Sequence, residues 1–170
     1  MTEAHPRVLG HIGLTVDDIE AAFEWYRDVL GFTPVMEPDT VVAGDGHFGD
    51  LAQDAVGFDF GEMKIAHMAT GNHVGFELFE FEATEGDTDP TPTQPGLFHF
   101  CVQDPNIEDL VETVVETGGD QLSDVWVIFP DYPEYKMCYC ADPWGNIVEV
   151  HSRGYEHMHA NLAEEEPPAT

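Results

Sequence analysis

Two carboxylates occupy positions where a charge is expensive. Glu77 lies in the apolar run Val74-Gly75-Phe76-Glu77-Leu78-Phe79, and Glu149 in Ile147-Val148-Glu149-Val150. A carboxylate inside such a strand must be paired, protonated or bound to a cation. The whole chain offers only five Lys and Arg for pairing. Two histidines have matching surroundings: His11 opens His11-Ile12-Gly13-Leu14-Thr15-Val16, and His99 lies in Leu97-Phe98-His99-Phe100-Cys101-Val102. One His and one Glu from each half would supply two imidazole nitrogens and two carboxylate oxygens. That donor set suits one divalent transition metal (Ni, Zn, Co, Mn or Fe), with positions left for water or substrate, and suits Ca or Mg poorly. The structural alternative is four unconnected polar residues of the core.

The elements that must position these residues come in the same order twice. The strand at His11 ends at Asp17-Asp18, either of which can cap a helix over Ile19 to Leu30, whose apolar positions Ile19, Ala22, Phe23, Tyr26, Val29 and Leu30 follow helical spacing before Gly31 stops it. The second copy runs from the strand at His99 through Asp104-Pro105 to a helix carrying Ile107, Leu110, Val111, Val114 and Val115, ended by Gly118-Gly119. Strand-like runs follow each helix: near Pro34-Val35-Met36, Met63 to Ala69 and Val74 to Phe81 in the first half, and Gln121 to Ile128, Tyr135 to Ala141 and Ile147 to His151 in the second. Gly71-Asn72-His73 and Asp142-Pro143-Trp144-Gly145-Asn146 are the turns before the last strands. The two copies are offset by 88 residues at the histidines and by 72 at the glutamates. The first half therefore carries an insertion, placed in the Gly- and Asp-rich stretch 39–60 and expected to be either a flexible cover over a site or plain surface loop.

The modules predicted are 1–82 and 97–152, with a Pro-containing linker over 83–96 and a polar C-terminal tail over 153–170. Other histidines have weaker claims. His151 shares a strand face with Glu149 and is either a supporting partner or a pocket residue. His67 reads first as core packing, His73 as a turn residue facing solvent, and His157 and His159 as part of a mobile tail. The aromatic stretch from Trp126 to Tyr135 either walls a pocket or seals a core edge. Cys101, Cys138 and Cys140 form no CxxC pair and read as buried free thiols rather than a disulfide or thiolate site.

Thirty-four Asp and Glu give a formal charge of −29, spread along the chain rather than gathered in a block. Such a chain repels itself in dilute buffer, and molar salt screens that repulsion within about 3 Å. A salt-adapted, halophilic protein is expected. The same charge excludes nucleic acids and anionic membranes as partners. The start MTEAHPRV lacks the features of a signal peptide, and no run approaches the ~20 apolar residues of a membrane span, so the cytoplasm is expected.

Three segments together resemble the vicinal oxygen chelate superfamily, which includes glyoxalase I, methylmalonyl-CoA epimerase, extradiol dioxygenases and the bleomycin- and fosfomycin-resistance proteins. They are His11 to Asp18, Phe23-x-x-Tyr26-x-x-x-Leu30-Gly31-Phe32, and Asp142 to Glu149. The likeness extends over roughly residues 8 to 152. It implies an α+β fold, two tandem βαβββ modules forming a curved mixed sheet around a central metal site. The glyoxalase-like ligand pattern falls on His11, Glu77, His99 and Glu149. Extradiol dioxygenases use two histidines and one glutamate, so a fourth ligand at Glu77 leans toward the lyase, isomerase and epimerase branch. By this resemblance Glu149 is the catalytic base, moving a proton between neighbouring carbons of a small substrate with vicinal oxygens, through an enediolate. The other readings are an iron dioxygenase of the extradiol type and a non-catalytic protein that binds small drug-like molecules. The resemblance also implies a homodimer, and the shortage of cations disfavours a heavily phosphorylated substrate.

Overall fold

The computed structural model describes residues 5–82, 93 and 95–159. The chain divides into two units, Met1–Gly86 and Asp87–Thr170. In the first, β1 (His11–Thr15), α1 (Ile19–Asp28), β2 (Thr33–Val42), α2 (Gly46–Val56), β3 (Glu62–Ala69) and β4 (Gly75–Phe81) follow in order. The sheet order is β1-β4-β3-β2, with β1 parallel to β4 and the other neighbours antiparallel.

Helix α1 forms where its spacing predicts. Asp18 Oδ1 accepts from the Ala21 N–H at 3.0 Å, satisfying one of the orphan amides of the first turn. Ile19, Ala22, Phe23 and Tyr26 form its buried stripe. Gly31, at φ 67°, turns the chain so that the Phe32 N–H returns to the Tyr26 carbonyl at 3.1 Å. Tyr26, Phe32 and Phe76 then pack as a ring cluster with centroids 4.7–5.8 Å apart. Burying such side chains contributes roughly 1.5–3 kcal/mol each. Because β4 alternates, burying Phe76 and Leu78 on the α1 side leaves Gly75, Glu77 and Phe79 on the opposite face.

The second unit holds β5 (His99–Gln103), α3 (Ile107–Glu116), β6 (Asp120–Gln121), β7 (Trp126–Phe129), β8 (Tyr132–Ala141), β9 (Ile147–His151) and α4 (Tyr155–His159). Its sheet order is β5-β9-β8-β6, and β7 also pairs with β8. The second strand of each half is an interrupted edge. In β2, which carries Pro34 and Pro38, the register shifts twice between Pro34 and Asp39, as proline permits only where no ladder donor is needed. In the other half the continuous strand expected over 121–128 is broken into β6 and β7. Ser123 is the reason: its hydroxyl accepts from the Tyr139 N–H at 2.9 Å, and the Leu122 N–H takes the Tyr139 carbonyl at 2.8 Å.

Three further expectations change. The stretch 39–60 is not an open loop: β2 continues to Val42 and α2 follows. Ala52 of α2 joins a core cluster with Val41, Phe60, Met63 and Ile65, against which Val56, Phe79 and Phe81 pack. The aromatic stretch 126–135 is a β7–β8 hairpin, with Tyr135 against Phe129 and Tyr132. The tail expected from residue 153 begins instead with α4, whose Met158 is fully buried and whose His159 ring lies 5.3 Å from that of His151. Residues 160–170, and the linker apart from 93, 95 and 96, lie outside the described residues. No helix among the described residues is long and apolar enough to cross a membrane.

Candidate metal centre

The pairing registers show why the His–Glu spacing recurs. In the parallel pair β1–β4, His11 faces Gly75 and Gly13 faces Glu77; in β5–β9, His99 faces Ile147 and Cys101 faces Glu149. In both units the histidine thus stands diagonally to the glutamate on one sheet face. His11 Nε2 lies 3.4 Å from Glu77 Oε2, and His99 Nε2 lies 3.2 Å from Glu149 Oε2. Gly75 makes room for the first pair, since a Cβ there would sit 2.9 Å from the Cβ of His11.

Turn chemistry sets the position of each glutamate. Before β9, the buried Asp142 accepts from the Trp144 and Asn146 amides at 3.0 and 2.7 Å and from Asn146 Nδ2 at 2.8 Å. Before β4, Thr70 Oγ1 accepts from the Val74 N–H at 3.1 Å, with exposed His73 in a left-handed turn position at φ 63°. A slipped register in either turn would send the following glutamate to the opposite face.

Each carboxylate meets a second imidazole. His67, read from sequence as core packing, faces Glu77 across β3–β4 with Nδ1 3.3 Å from Oε1. His151 Nε2 lies 3.1 Å from Glu149 Oε1. The position opposite Glu149 that corresponds to His67 is held by Tyr139, its register partner across β8–β9. Burial first, and then the Glu149 charge, push the Tyr139 phenol above its ordinary range. His151 is where strand parity placed it, beside Glu149, whereas His67 and Tyr139 were hidden in the sequence, because residue parity assigns a face but the pairing register decides who meets whom.

Within each unit, the imidazole and carboxylate donors are of kinds that fit a divalent ion. No Lys or Arg pairs with either carboxylate among the described residues. Lys64 instead serves Glu20 and Glu80, Lys136 serves Glu108, and Arg27 serves Asp28. The Lys64 pairing also accounts for the acidic group of Asp18, Glu20 and Glu80, where Glu80 accepts from the Ile19 amide at 2.8 Å. Next to Glu149, the buried His151 Nε2 has no hydrogen-bond partner, a state that costs about 1–3 kcal/mol unless something binds there. The cysteines are all free, as expected, and Cys138 and Cys140 are buried. Cys101 is exposed as a residue, contrary to expectation, yet its sulfur turns toward Glu149 and His151. Burial of that sulfur, with the Glu149 charge beside it, pushes its thiol up to about 12.

A family model described as the Glyoxalase/Bleomycin resistance protein/Dioxygenase superfamily matches residues 8–150. The chain belongs to that superfamily. Solved structures with the same fold include a glyoxalase family protein from Bacillus cereus, at TM-score 0.71 and 18% identity over 89% of this chain and 97% of that one. The fosfomycin resistance protein FosX from Listeria monocytogenes, solved with Mn(II) and a dihydroxypropylphosphonic acid, matches at TM-score 0.56 and 13% identity over 89% and 97%. Glyoxalase I from Zea mays matches at TM-score 0.60 and 15% identity over 86% of this chain and 44% of that one. No curated protein matches this superfamily member significantly. At these identities the likeness to the solved structures speaks for the fold alone.

Proposed function

We propose that the chain is a metal-dependent lyase or isomerase of the glyoxalase type, acting on a small substrate with adjacent oxygens. In this reading His11, Glu77, His99 and Glu149 hold one divalent ion. The repeated His–Glu pair carries the proposal: each half presents an imidazole within 3.4 Å of a carboxylate that no Lys or Arg neutralises among the described residues. The Mn(II) in the FosX structure is in keeping with such a donor set. When bound, the ion supplies Lewis-acid stabilisation of negative charge on the substrate oxygens.

Glu149 is the general base of this reading, taking a proton from one carbon and returning it to the next. Its side chain is the more secluded of the two carboxylates, 12% exposed against 23% for Glu77. Seclusion limits exchange of the carried proton with water. The substrate is not heavily phosphorylated, given the few cations, and a homodimer and adaptation to high salt belong to the same proposal.

The test is turnover of a hemithioacetal of an α-oxoaldehyde by wild type and Glu149→Gln, with metal content measured on both. The reading expects the variant to keep its metal and lose about 10²–10⁴-fold in rate. Full turnover in Glu149→Gln would remove Glu149 from the base role. Iron-dependent oxygen consumption with a catechol would instead favour a ring-cleaving oxygenase.

A further inference from the structure

Glu149 has two oxygens, and only Oε2 faces His99. On the other side of the carboxylate stand Cys101 and His151, and one donor atom from each of Cys101, Glu149 and His151 lies within 4.8 Å of the others. Strand geometry explains the grouping: Cys101 is the β5 residue directly opposite Glu149, and His151 is two positions further along β9, on the same face. In the first unit the corresponding positions are Gly13 and Phe79, which offer no such donors.

His151 makes the grouping more than an incidental thiol near an acid. The residue is 2% exposed, and its Nε2 has no hydrogen-bond partner although Glu149 Oε1 lies 3.1 Å away. A buried imidazole nitrogen beside a carboxylate and a sulfur can offer its lone pair to a metal ion. Sulfur, imidazole nitrogen and carboxylate oxygen together form a borderline-soft set of the kind that holds zinc or cobalt. Donors around a tetrahedral ion with bonds of roughly 2.0–2.3 Å lie about 3.3–3.7 Å apart. The three donors, now within 4.8 Å of one another, would draw together to that spacing around an ion.

We propose that Cys101, Glu149 and His151 form a second metal site, contained within the second unit, that takes a thiophilic divalent ion such as Zn²⁺ or Co²⁺. Glu149 serves it through Oε1, leaving Oε2 toward His99. Binding replaces the Cys101 S–H bond with a sulfur–metal bond, and the thiol proton passes to solvent. Solvent completes the coordination on the exposed side of Cys101. All three donors belong to one unit, so the site does not require His11 or Glu77.

The experiment is titration of the full chain with Co²⁺, following the thiolate-to-cobalt charge-transfer absorption, in wild type, Cys101→Ala, His151→Gln and Glu77→Ala. The expected result is a band in wild type and Glu77→Ala, its loss in Cys101→Ala, and at least a tenfold weaker cobalt affinity in His151→Gln. Cys101 is an exposed position, so its variant folds even if the His151 one does not. A wild type without the band would overturn the site, as would unchanged affinity in a folded His151→Gln. Loss of the band in Glu77→Ala would assign the thiol to the four-residue centre and overturn a separate site. Mn²⁺, which avoids thiolate, is counted in parallel: Cys101→Ala retains it. Failure of the four-residue reading alone would appear as absent Mn²⁺ with the cobalt band intact.

Discussion

His67 stands directly across the β3–β4 ladder from Glu77, its Nδ1 3.3 Å from Oε1, while Tyr139 takes the corresponding place against Glu149. The two glutamates therefore share a position in the fold but differ in their support. His67→Phe should keep the fold and leave Glu77 without that imidazole. Loss of such an orienting partner typically costs about 10–100-fold in metal affinity, so Mn²⁺ titration should show a weakening in that range. Unchanged affinity would mean that His67 only packs.

Much of this arrangement was legible in the sequence, and for a definite reason. Strand alternation makes face assignment a matter of odd and even positions, so a His on the first strand and a Glu on the last strand of each half could be expected to share a face. By the same parity His151, two after Glu149, was expected on its face, whereas the matching signal for Cys101, two after His99, was outweighed by the expectation of buried, inert thiols. The role of His67 needed the β3–β4 register, which no local pattern encodes.

Helix α2 was illegible for a different reason. Its sequence, GHFGDLAQDAV, buries only Gly49 and Ala52, so it lacks the broad apolar stripe of α1 or α3. Contacts with Phe60, Met63 and Ile65 hold it rather than intrinsic preference. Gly49 carries the consequence, since a Cβ there would lie 2.2 Å from the Val42 carbonyl oxygen. Gly49→Ala should destabilise the chain by roughly 1–3 kcal/mol in denaturant unfolding. A neutral result would mean that α2 is not seated against β2 in this way.

Alkaline pH should weaken the fold through Cys140. Burial, followed by the neighbouring Cys138, holds its thiol up to about 12, against 9.0 for an exposed group. Between those values the unfolded chain has released the proton and the folded chain retains it. The unfolded state then binds fewer protons, so stability falls as pH rises from about 9 toward 12. Cys140→Ala, at some cost in packing, should flatten that part of the profile. An equally steep decline in the variant would place the cause elsewhere.

The charge of −29 predicts a strong salt response. Raising KCl from low to molar concentration shortens the screening length from roughly 30 Å at 0.01 M to about 3 Å at 1 M. The thermal midpoint should rise steeply over that range, and more steeply than in a variant carrying several Glu→Lys changes on exposed positions. A flat profile would contradict salt adaptation.

In the proposed function the His–Glu pairs of both halves serve the same ion. Mn²⁺ content, measured by elemental analysis after loading and desalting in molar KCl, tests it most directly in wild type, Glu77→Ala and Glu149→Ala. One Mn²⁺ per chain is expected in wild type and its loss in both variants, because removing a ligand from either half opens the same proposed site. Full Mn²⁺ retention in either variant would contradict it.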